Sequence, residues 1–166
     1  LQPTASALSN LGTLLFRQEH FAEAANVLKQ TTTLTPGSYT LWGNLAAAYE
    51  WGGQLQSARD AYEKAASLAE QARALNPRQQ GLTADLADYY AASGHTEQAV
   101  QAFNEAIQVD GRTPATLIAG AVAYDQMKDH ERAVAFLLDA LSAGYPPLEV
   151  RQRVALKDVL KDPRVK

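Results

Sequence analysis

The side chains that could begin catalysis or bind a metal are histidines, serines and carboxylates, because the chain has no cysteine. A zinc site or a Ser-His-Asp triad needs such groups to converge within a few ångströms. His20, His95 and His130 are far apart in the sequence, and we expect no serine to have a histidine and an acid in the same or an adjacent turn. The stretch Trp51-Gly52-Gly53 lacks the context and spacing of a phosphate-binding loop.

These observations favour a non-enzymatic chain without a catalytic residue, a metal or a cofactor. Carboxylates are abundant, with 18 Asp and Glu residues. A fragment of an enzyme that uses a pair of them for general acid–base catalysis is the alternative.

The elements that position these side chains are predicted to be helices. The 166 residues include 31 Ala and 21 Leu but 11 Ile and Val together. Ala and Leu favour helices, whereas β-branched residues favour strands. No apolar run approaches the roughly 18 residues of a membrane span, and Leu1-Gln2-Pro3-Thr4 does not begin a signal peptide. We therefore expect no membrane insertion and leave the compartment open between cytoplasm and periplasm.

Charge is distributed unevenly along the chain. Residues 1–147 hold nine Lys and Arg against 15 Asp and Glu, a net charge of −6, whereas residues 148–166 hold six against three, a net charge of +3. The total of −3 argues against a nucleic-acid partner. The basic tail could contact an acidic partner or a membrane surface, but Asp158 and Asp162 interrupt it. We interpret it as a solvated terminal helix whose Lys and Arg face water.

A period of 34 residues organises most of the sequence. Segments 5–38, 39–72, 80–113 and 114–147 carry similar residues at equivalent positions. Position 11 of the segments holds Leu15, Tyr49, Tyr90 and Tyr124, and position 20 holds Ala24, Ala58, Ala99 and Ala133. Positions 4, 7, 8 and 11 form one face of a first helix, and positions 20, 24 and 27 form one face of a second. Small residues at positions 8, 20 and 27 allow the paired helices to approach closely.

The period and the residue pattern resemble the tetratricopeptide repeat family. Trp42 fits the aromatic residue at position 4, and Pro36 fits the proline at position 32. In departures from the pattern, Glu19 and Lys128 replace the glycine between the helices, and Gly120 replaces a leucine. The resemblance implies an all-α fold, a right-handed superhelix (an α-α solenoid) of four helix-turn-helix repeats plus a C-terminal capping helix.

We interpret residues 1–166 as one such domain. An insert at 73–79 is predicted to extend the second helix of repeat 2 up to Pro77, because no helix breaker precedes Asn76. Residues 148–166 are predicted to form a capping tail, in which apolar residues cover the open end of repeat 4. Those residues are Leu148, Val150, Val154, Leu156, Val159 and Leu160.

A narrower resemblance concerns the context of these repeats. Trp42-Gly43-Asn44-Leu45-Ala46, Asn76-Pro77, Gly144-Tyr145-Pro146 and Asp162-Pro163-Arg164 are similar to the C-terminal repeat region of multidomain bacterial signalling proteins. Those proteins carry an upstream serine/threonine kinase, adenylate cyclase or winged-helix regulator. The resemblance, together with a first residue that is not Met, implies that this chain belongs to something larger.

The first helices of stacked repeats line a groove, and positions outside the packing set are predicted to face it. We predict a peptide-binding groove formed by Asn10, Thr13, Phe16, Arg17, Asn44, Ala47, Glu50, Trp51, Asp85, Asp88, Val122 and Asp125. Some family members grip a peptide carboxylate with Lys, Arg and Asn at these positions. Here only Asn10 and Asn44 match, so no carboxylate clamp is expected.

An acidic and apolar groove would complement an apolar segment that contains Lys or Arg. The expected partner is therefore a protein or peptide of that chemistry, bound without catalysis. The alternative is a structural spacer or an oligomerisation element for an upstream enzyme, with this chain as a possible homo-oligomer.

Overall fold

Helices account for all the regular structure in the part of the chain that the computed structural model describes, namely residues 3–151, 153 and 156–165. The nine α-helices in these ranges are α1 Ala5–Arg17, α2 Phe21–Leu34, α3 Tyr39–Trp51, α4 Leu55–Leu75, α5 Leu82–Ser93, α6 Thr96–Asp110, α7 Pro114–Gln126, α8 His130–Ser142 and α9 Pro147–Arg151. Two short 3₁₀ turns follow, η1 Val159–Lys161 and η2 Pro163–Val165. The all-α helical repeat fold is therefore confirmed.

Side-chain caps fix where several first helices begin. The Oγ1 atom of Thr4 accepts a hydrogen bond from the amide of Ala7, 3.2 Å away, and Thr113 caps α7 in the same way. Ser38 does this for α3 over 3.4 Å. Each cap satisfies an amide that the first turn of a helix leaves without an internal partner. The repeat boundaries thus coincide with Ser or Thr residues at the N-termini of these helices.

The chain forms two compact units, residues 1–69 and 70–166. In unit 1, α2 contacts both α1 and α3. Its core consists of the small and aliphatic residues Ala24, Ala25, Leu28, Leu45 and Ala48, with Trp42 and Tyr49 packed against them. Ala24 and Ala48 are fully buried, which allows the helix backbones to approach closely.

Unit 2 is built around α7, which contacts α5, α6 and α8. Every residue from Thr116 to Tyr124 is buried. Nine consecutive residues cover all sides of a helix, since one turn takes 3.6 residues. The rings of Phe103, Tyr124 and Phe136 pack within 5.0–5.9 Å of one another, centroid to centroid.

Gly120 departs from the repeat pattern because a large ring occupies the space that a side chain would need. A Cβ atom built on Gly120 would lie 2.5 Å from Cε2 of Phe103. The smaller residue on α7 and the larger one on α6 therefore compensate for each other.

Helix α4 is longer than its counterparts, with 21 residues. It begins in unit 1 and ends in unit 2, just before Asn76-Pro77. Near its end Arg73 forms ion pairs with Glu70 at 2.8 Å and with Glu105 of α6 at 2.7 Å. The hydroxyl of Tyr90 donates to Glu70 over 2.8 Å. These contacts join the end of α4 to α5 and α6 within unit 2.

The turns between paired helices use a left-handed residue at position 15 of the repeat. Gly53 and Gly94 have φ of 75° and 88°, and Glu19 and Lys128 both have φ of 63°. The two non-glycine residues thus adopt a conformation that costs an L-amino acid about 1–2 kcal/mol.

Glu19→Gly is therefore expected to raise the free energy of unfolding of unit 1 by about 0.5–1 kcal/mol, after the greater entropy of unfolded glycine is subtracted. Glu19→Ala is the control, because its Cβ retains the strain. Trp42 and Trp51 both lie in unit 1, so tryptophan fluorescence during urea unfolding measures the effect. Equal stability of the Gly and Ala variants would contradict this prediction.

The tail does not form the single capping helix that the sequence predicted. Helix α9 ends at Arg151, Arg153 is not helical, and η1 and η2 contact α8. Val150 and Leu156 are both buried. They are six residues apart, so in a continuous helix their side chains would point about 120° away from each other. Breaking the helix allows both to be buried.

The residues predicted to cover the end of repeat 4 differ in burial. Val150, Leu156 and Val159 are at most 1% exposed, whereas Leu148 is 67% exposed. Val154 lies outside the described residues.

Candidate binding faces on the first helices

In unit 1, α1 carries four of the predicted groove residues. Asn10, Thr13 and Arg17 are exposed, and Phe16 is half-buried. The hydroxyl of Thr13 donates to the carbonyl oxygen of Ser9 over 3.0 Å. Three of the four side chains are thus available to a partner on this helix.

Helix α3 carries the other four predicted residues of unit 1. Asn44 is exposed, and Ala47, Glu50 and Trp51 are half-buried. Glu50 accepts a hydrogen bond from the hydroxyl of Tyr62 on α4 over 3.1 Å. Its carboxylate is therefore held in place by the neighbouring helix.

Phe21, which the sequence analysis did not select, brings Phe16 and Trp51 together. Its ring lies 5.6 Å from Trp51 in a stacked arrangement and 5.3 Å from Phe16, edge on. Part of the aromatic surface predicted for a partner is thus used in packing within unit 1. Phe21 follows the turn of repeat 1, and the pattern of the first helices contains no signal for it.

In unit 2, the predicted residues lie on α5 and α7. Val122 is 3% exposed, so it cannot contact a partner while this side of α7 is covered. Asp85, Asp88 and Asp125 are half-buried. Burial raises the pKa of Asp125, as does Asp158 of the tail, while Lys128 and His130 act in the opposite direction.

Asp88 binds an arginine from the tail of the same chain. Its Oδ2 atom lies 2.6 Å from Nη1 of Arg153. Nε and Nη2 of Arg153 donate to the hydroxyl of Tyr145 over 3.3 and 3.0 Å. The exposed fractions of the Arg153 and Asp88 side chains are 29% and 21%. The prediction that the basic residues of the tail face water is therefore wrong for Arg153, because this carboxylate draws it inward.

Asp85 and Asp88 make this part of α5 strongly acidic. The pKa of Asp85 is raised to about 7, chiefly by burial and next by the charge of Asp88, while Arg153 acts in the opposite direction. Burial by itself would lower the pKa of Arg153, but Asp88 and Tyr145 outweigh it and hold that pKa above its ordinary value. The cation and the two acids are therefore electrostatically coupled.

The sequence analysis missed Arg153 and Tyr145 as members of this site. The signal available was the contrast between a tail of net charge +3 and a preceding chain of net charge −6. It indicates attraction but does not identify which arginine meets which acid.

A serine–histidine contact occurs at the C-terminal end of α5. Oγ of Ser93 lies 3.0 Å from Nδ1 of His95, in the turn between α5 and α6. The same hydroxyl is 2.7 Å from the carbonyl oxygen of Tyr89, to which it donates, and Ser93 is 4% exposed. The hydroxyl is thus engaged with the backbone, which suits a turn more than a nucleophile.

Neither of two surface cavities includes a predicted groove residue. One, of about 380 Å³, lies in unit 1 and is lined by residues that include Trp42, Tyr49 and Asp60. The other, of about 370 Å³, lies in unit 2 near the start of α7 and includes Tyr145.

Metal ligands and membrane spans were also sought within the described ranges. There, no three His, Asp or Glu side chains are grouped in a way that could hold a metal ion. No helix in the same ranges is both long and apolar enough to cross a bilayer.

These features define a class, the all-α helical repeat proteins. A family model of the tetratricopeptide repeat matches residues 9–80 and 84–148. The chain therefore belongs to the tetratricopeptide repeat family, whose repeats generally mediate protein–protein interactions and serve as non-catalytic scaffolds.

Solved structures show the same fold. A thermophilic tetratricopeptide repeat protein from Thermus thermophilus matches with a TM-score of 0.63 and 20% identity, over 95% of this chain and 81% of that one. MamA matches with a TM-score of 0.53 and 21% identity, over 84% and 78%. PilF of Pseudomonas aeruginosa matches with a TM-score of 0.53 and 22% identity, over 90% and 65%. No curated protein sequence matches this chain significantly.

Proposed function

We propose that this chain is a non-catalytic interaction module that binds a segment of another protein through its first helices. The bound segment is apolar and contains basic residues. The binding faces are the α1 and α3 face of unit 1 and the α5 and α7 face of unit 2, each considered separately.

The contact between Arg153 and Asp88 carries this proposal. A guanidinium flanked by apolar residues lies against an acid of α5, which is the chemistry proposed for the partner. Hydrogen bonds to charged groups contribute about 1.5–3 kcal/mol when water is partly excluded. In unit 1, Glu50 on α3 is the acid of the predicted groove, and it directly precedes Trp51 in the sequence.

The module would function within a larger bacterial signalling protein, as the narrower sequence resemblance suggests.

A different proposal, a spacer or oligomerisation element, draws support from two exposed leucines. Leu11 and Leu14 of α1 are 44% and 52% exposed, so this helix offers an apolar surface to a second copy.

The test is a titration of the full chain with two labelled peptides. Both carry apolar residues three positions on either side of a central residue, which is Arg in one peptide and Glu in the other. We expect the Arg peptide to bind and to shift NMR signals of α1, α3, α5 or α7, and the Glu peptide to bind at least tenfold more weakly. Arg153→Met is titrated in parallel, so that a site already filled by Arg153 is not mistaken for an absent one.

Variants locate the site within the chain. Glu50→Gln tests unit 1, Asp88→Asn tests unit 2, and Glu63→Gln on an exposed part of α4 is the control. Failure of the Arg peptide to bind both the full chain and Arg153→Met would overturn the proposal. Sedimentation at several concentrations tests the spacer alternative, which predicts a dimer that Leu14→Glu dissociates.

A further inference from the structure

The tail follows a path that places its central arginine on the proposed binding face of unit 2. The chain leaves α8 at Ser142, and α7 contacts both α8 and α5. Arg153 nevertheless reaches Asp88 on α5. Helix α7 lies between α8 and α5 in this chain of contacts, and its Ile118 and Val122 are 1% and 3% exposed. Arg153 of the tail therefore occupies an acid of the face that is proposed to receive a partner.

The tail also has the composition proposed for the partner. Val150 and Leu156, three residues to either side of Arg153, are 1% and 0% exposed. Arg151, two residues before Arg153, is exposed and provides a natural comparison. The segment thus has an arginine between two buried apolar residues.

The tail satisfies the acidic site only in part. The Oδ1 atom of Asp88 is buried and accepts no hydrogen bond from the described part of the chain, although Oδ2 is paired with Arg153. A buried acceptor without a donor loses its hydrogen bonds to water and gains none in return. Asp85 adds a second acid close to the same guanidinium. A ligand that brought one more donor would bind this site better than the tail does.

The far end of the tail is held by ion pairs that differ in exposure, since the Asp162 side chain is 9% exposed and that of Glu131 is 77% exposed. Asp162 lies 3.0 Å from His130, and Arg164 lies 2.8 Å from Glu131, both at the start of α8. The pair of Arg164 and Glu131 contributes little to docking, because water and salt screen two exposed charges. Arg153 and the buried apolar residues are therefore the parts of the tail that hold it to α5.

We propose that the tail, described over residues 148–151, 153 and 156–165, is a resident competitor that occupies the α5 and α7 face until a partner segment displaces it. The partner segment would present an arginine between apolar residues three positions away on either side. This inference rests on the proposed function, because it concerns the regulation of the same face. While the tail is docked on most molecules, the apparent affinity for the partner is lower by a factor of about the population with a docked tail divided by the population with a free tail.

The experiment compares the affinity of the Arg peptide for the full chain and for two matched variants. Arg153→Met keeps much of the side-chain volume but removes the charge that holds the tail, and Arg151→Met removes an exposed charge from the same segment. We expect Arg153→Met to bind the Arg peptide about tenfold more tightly than the full chain, and Arg151→Met to stay within twofold. The whole tail is not deleted, because deletion would also remove the buried residues Val150, Leu156 and Val159 and would not isolate the contribution of the Arg153 charge.

Circular dichroism verifies that each variant is folded. If Arg153→Met does not fold, Arg153→Lys replaces it, because lysine keeps the charge but loses the forked contact with Tyr145. The Arg peptide is then expected to bind Arg153→Lys at least threefold more tightly than it binds the full chain. Equal affinity of the full chain and the Arg153 variant would overturn the competitor while leaving the proposed function intact. Binding to none of the three proteins would overturn both.

Discussion

Asp88→Ala is expected to lower the free energy of unfolding of unit 2 by about 2–3 kcal/mol. The substitution removes the counter-ion of Arg153, whose side chain is 29% exposed. The guanidinium would then keep its contact with the hydroxyl of Tyr145 but lose the charge that compensates for its partial desolvation. The loss is smaller than the roughly 3–5 kcal/mol of a fully buried pair, because water still reaches both groups.

A double-mutant cycle separates the pair from its surroundings. The free energy of unfolding is measured for Asp88→Ala, for Arg153→Met and for the double variant. The loss in the double variant is expected to be smaller than the sum of the two single losses by at least about 1 kcal/mol. Both tryptophans lie in unit 1, so unfolding of unit 2 is followed by amide hydrogen exchange of α5 and α7. Additive losses would show that the two side chains do not stabilise each other in solution.

The helical repeats were predictable because the signals for them are local. Positions such as Ala24 and Ala99 recur every 34 residues within the segments, and helix periodicity determines which face they occupy. Departures from the pattern needed the three-dimensional structure. The reason for Gly120 is the ring of Phe103, 17 residues earlier in the chain. Two atoms of that ring would lie 2.7 Å or less from a Cβ atom built on Gly120.

The candidate site was less predictable because it depends on contacts distant in sequence. Periodicity placed Asp85, Asp88 and Val122 on a common face, but it contains no information about a tail that returns over that face. Arg153 lies 65 residues from Asp88. Its neighbour Arg151, of the same type and charge, is exposed. Choosing between them requires the positions of Val150 and Leu156, which are determined by packing and not by the charge pattern.

Asp85→Asn is expected to stabilise unit 2 by an amount that grows with pH. The pKa of Asp85 is raised from 3.8 to about 7 in the folded chain, chiefly by burial and next by Asp88, against the opposing effect of Arg153. Between these two values the folded chain retains a proton that the unfolded chain has released. The wild type therefore loses stability as the pH rises through this window, and asparagine has no charge to bury.

The gain from Asp85→Asn should be near zero at about pH 4 and reach about 2–4 kcal/mol at about pH 8, in proportion to the pKa difference. Urea unfolding followed by far-ultraviolet circular dichroism and by hydrogen exchange of α5 measures it at several pH values. Glu63→Gln is the control, because it removes an exposed carboxylate from α4. A gain that stays constant across this range would mean that Asp85 is as well solvated as in the unfolded chain. The acidic part of α5 would then offer no partly dehydrated site for a guanidinium, whether from Arg153 or from a partner.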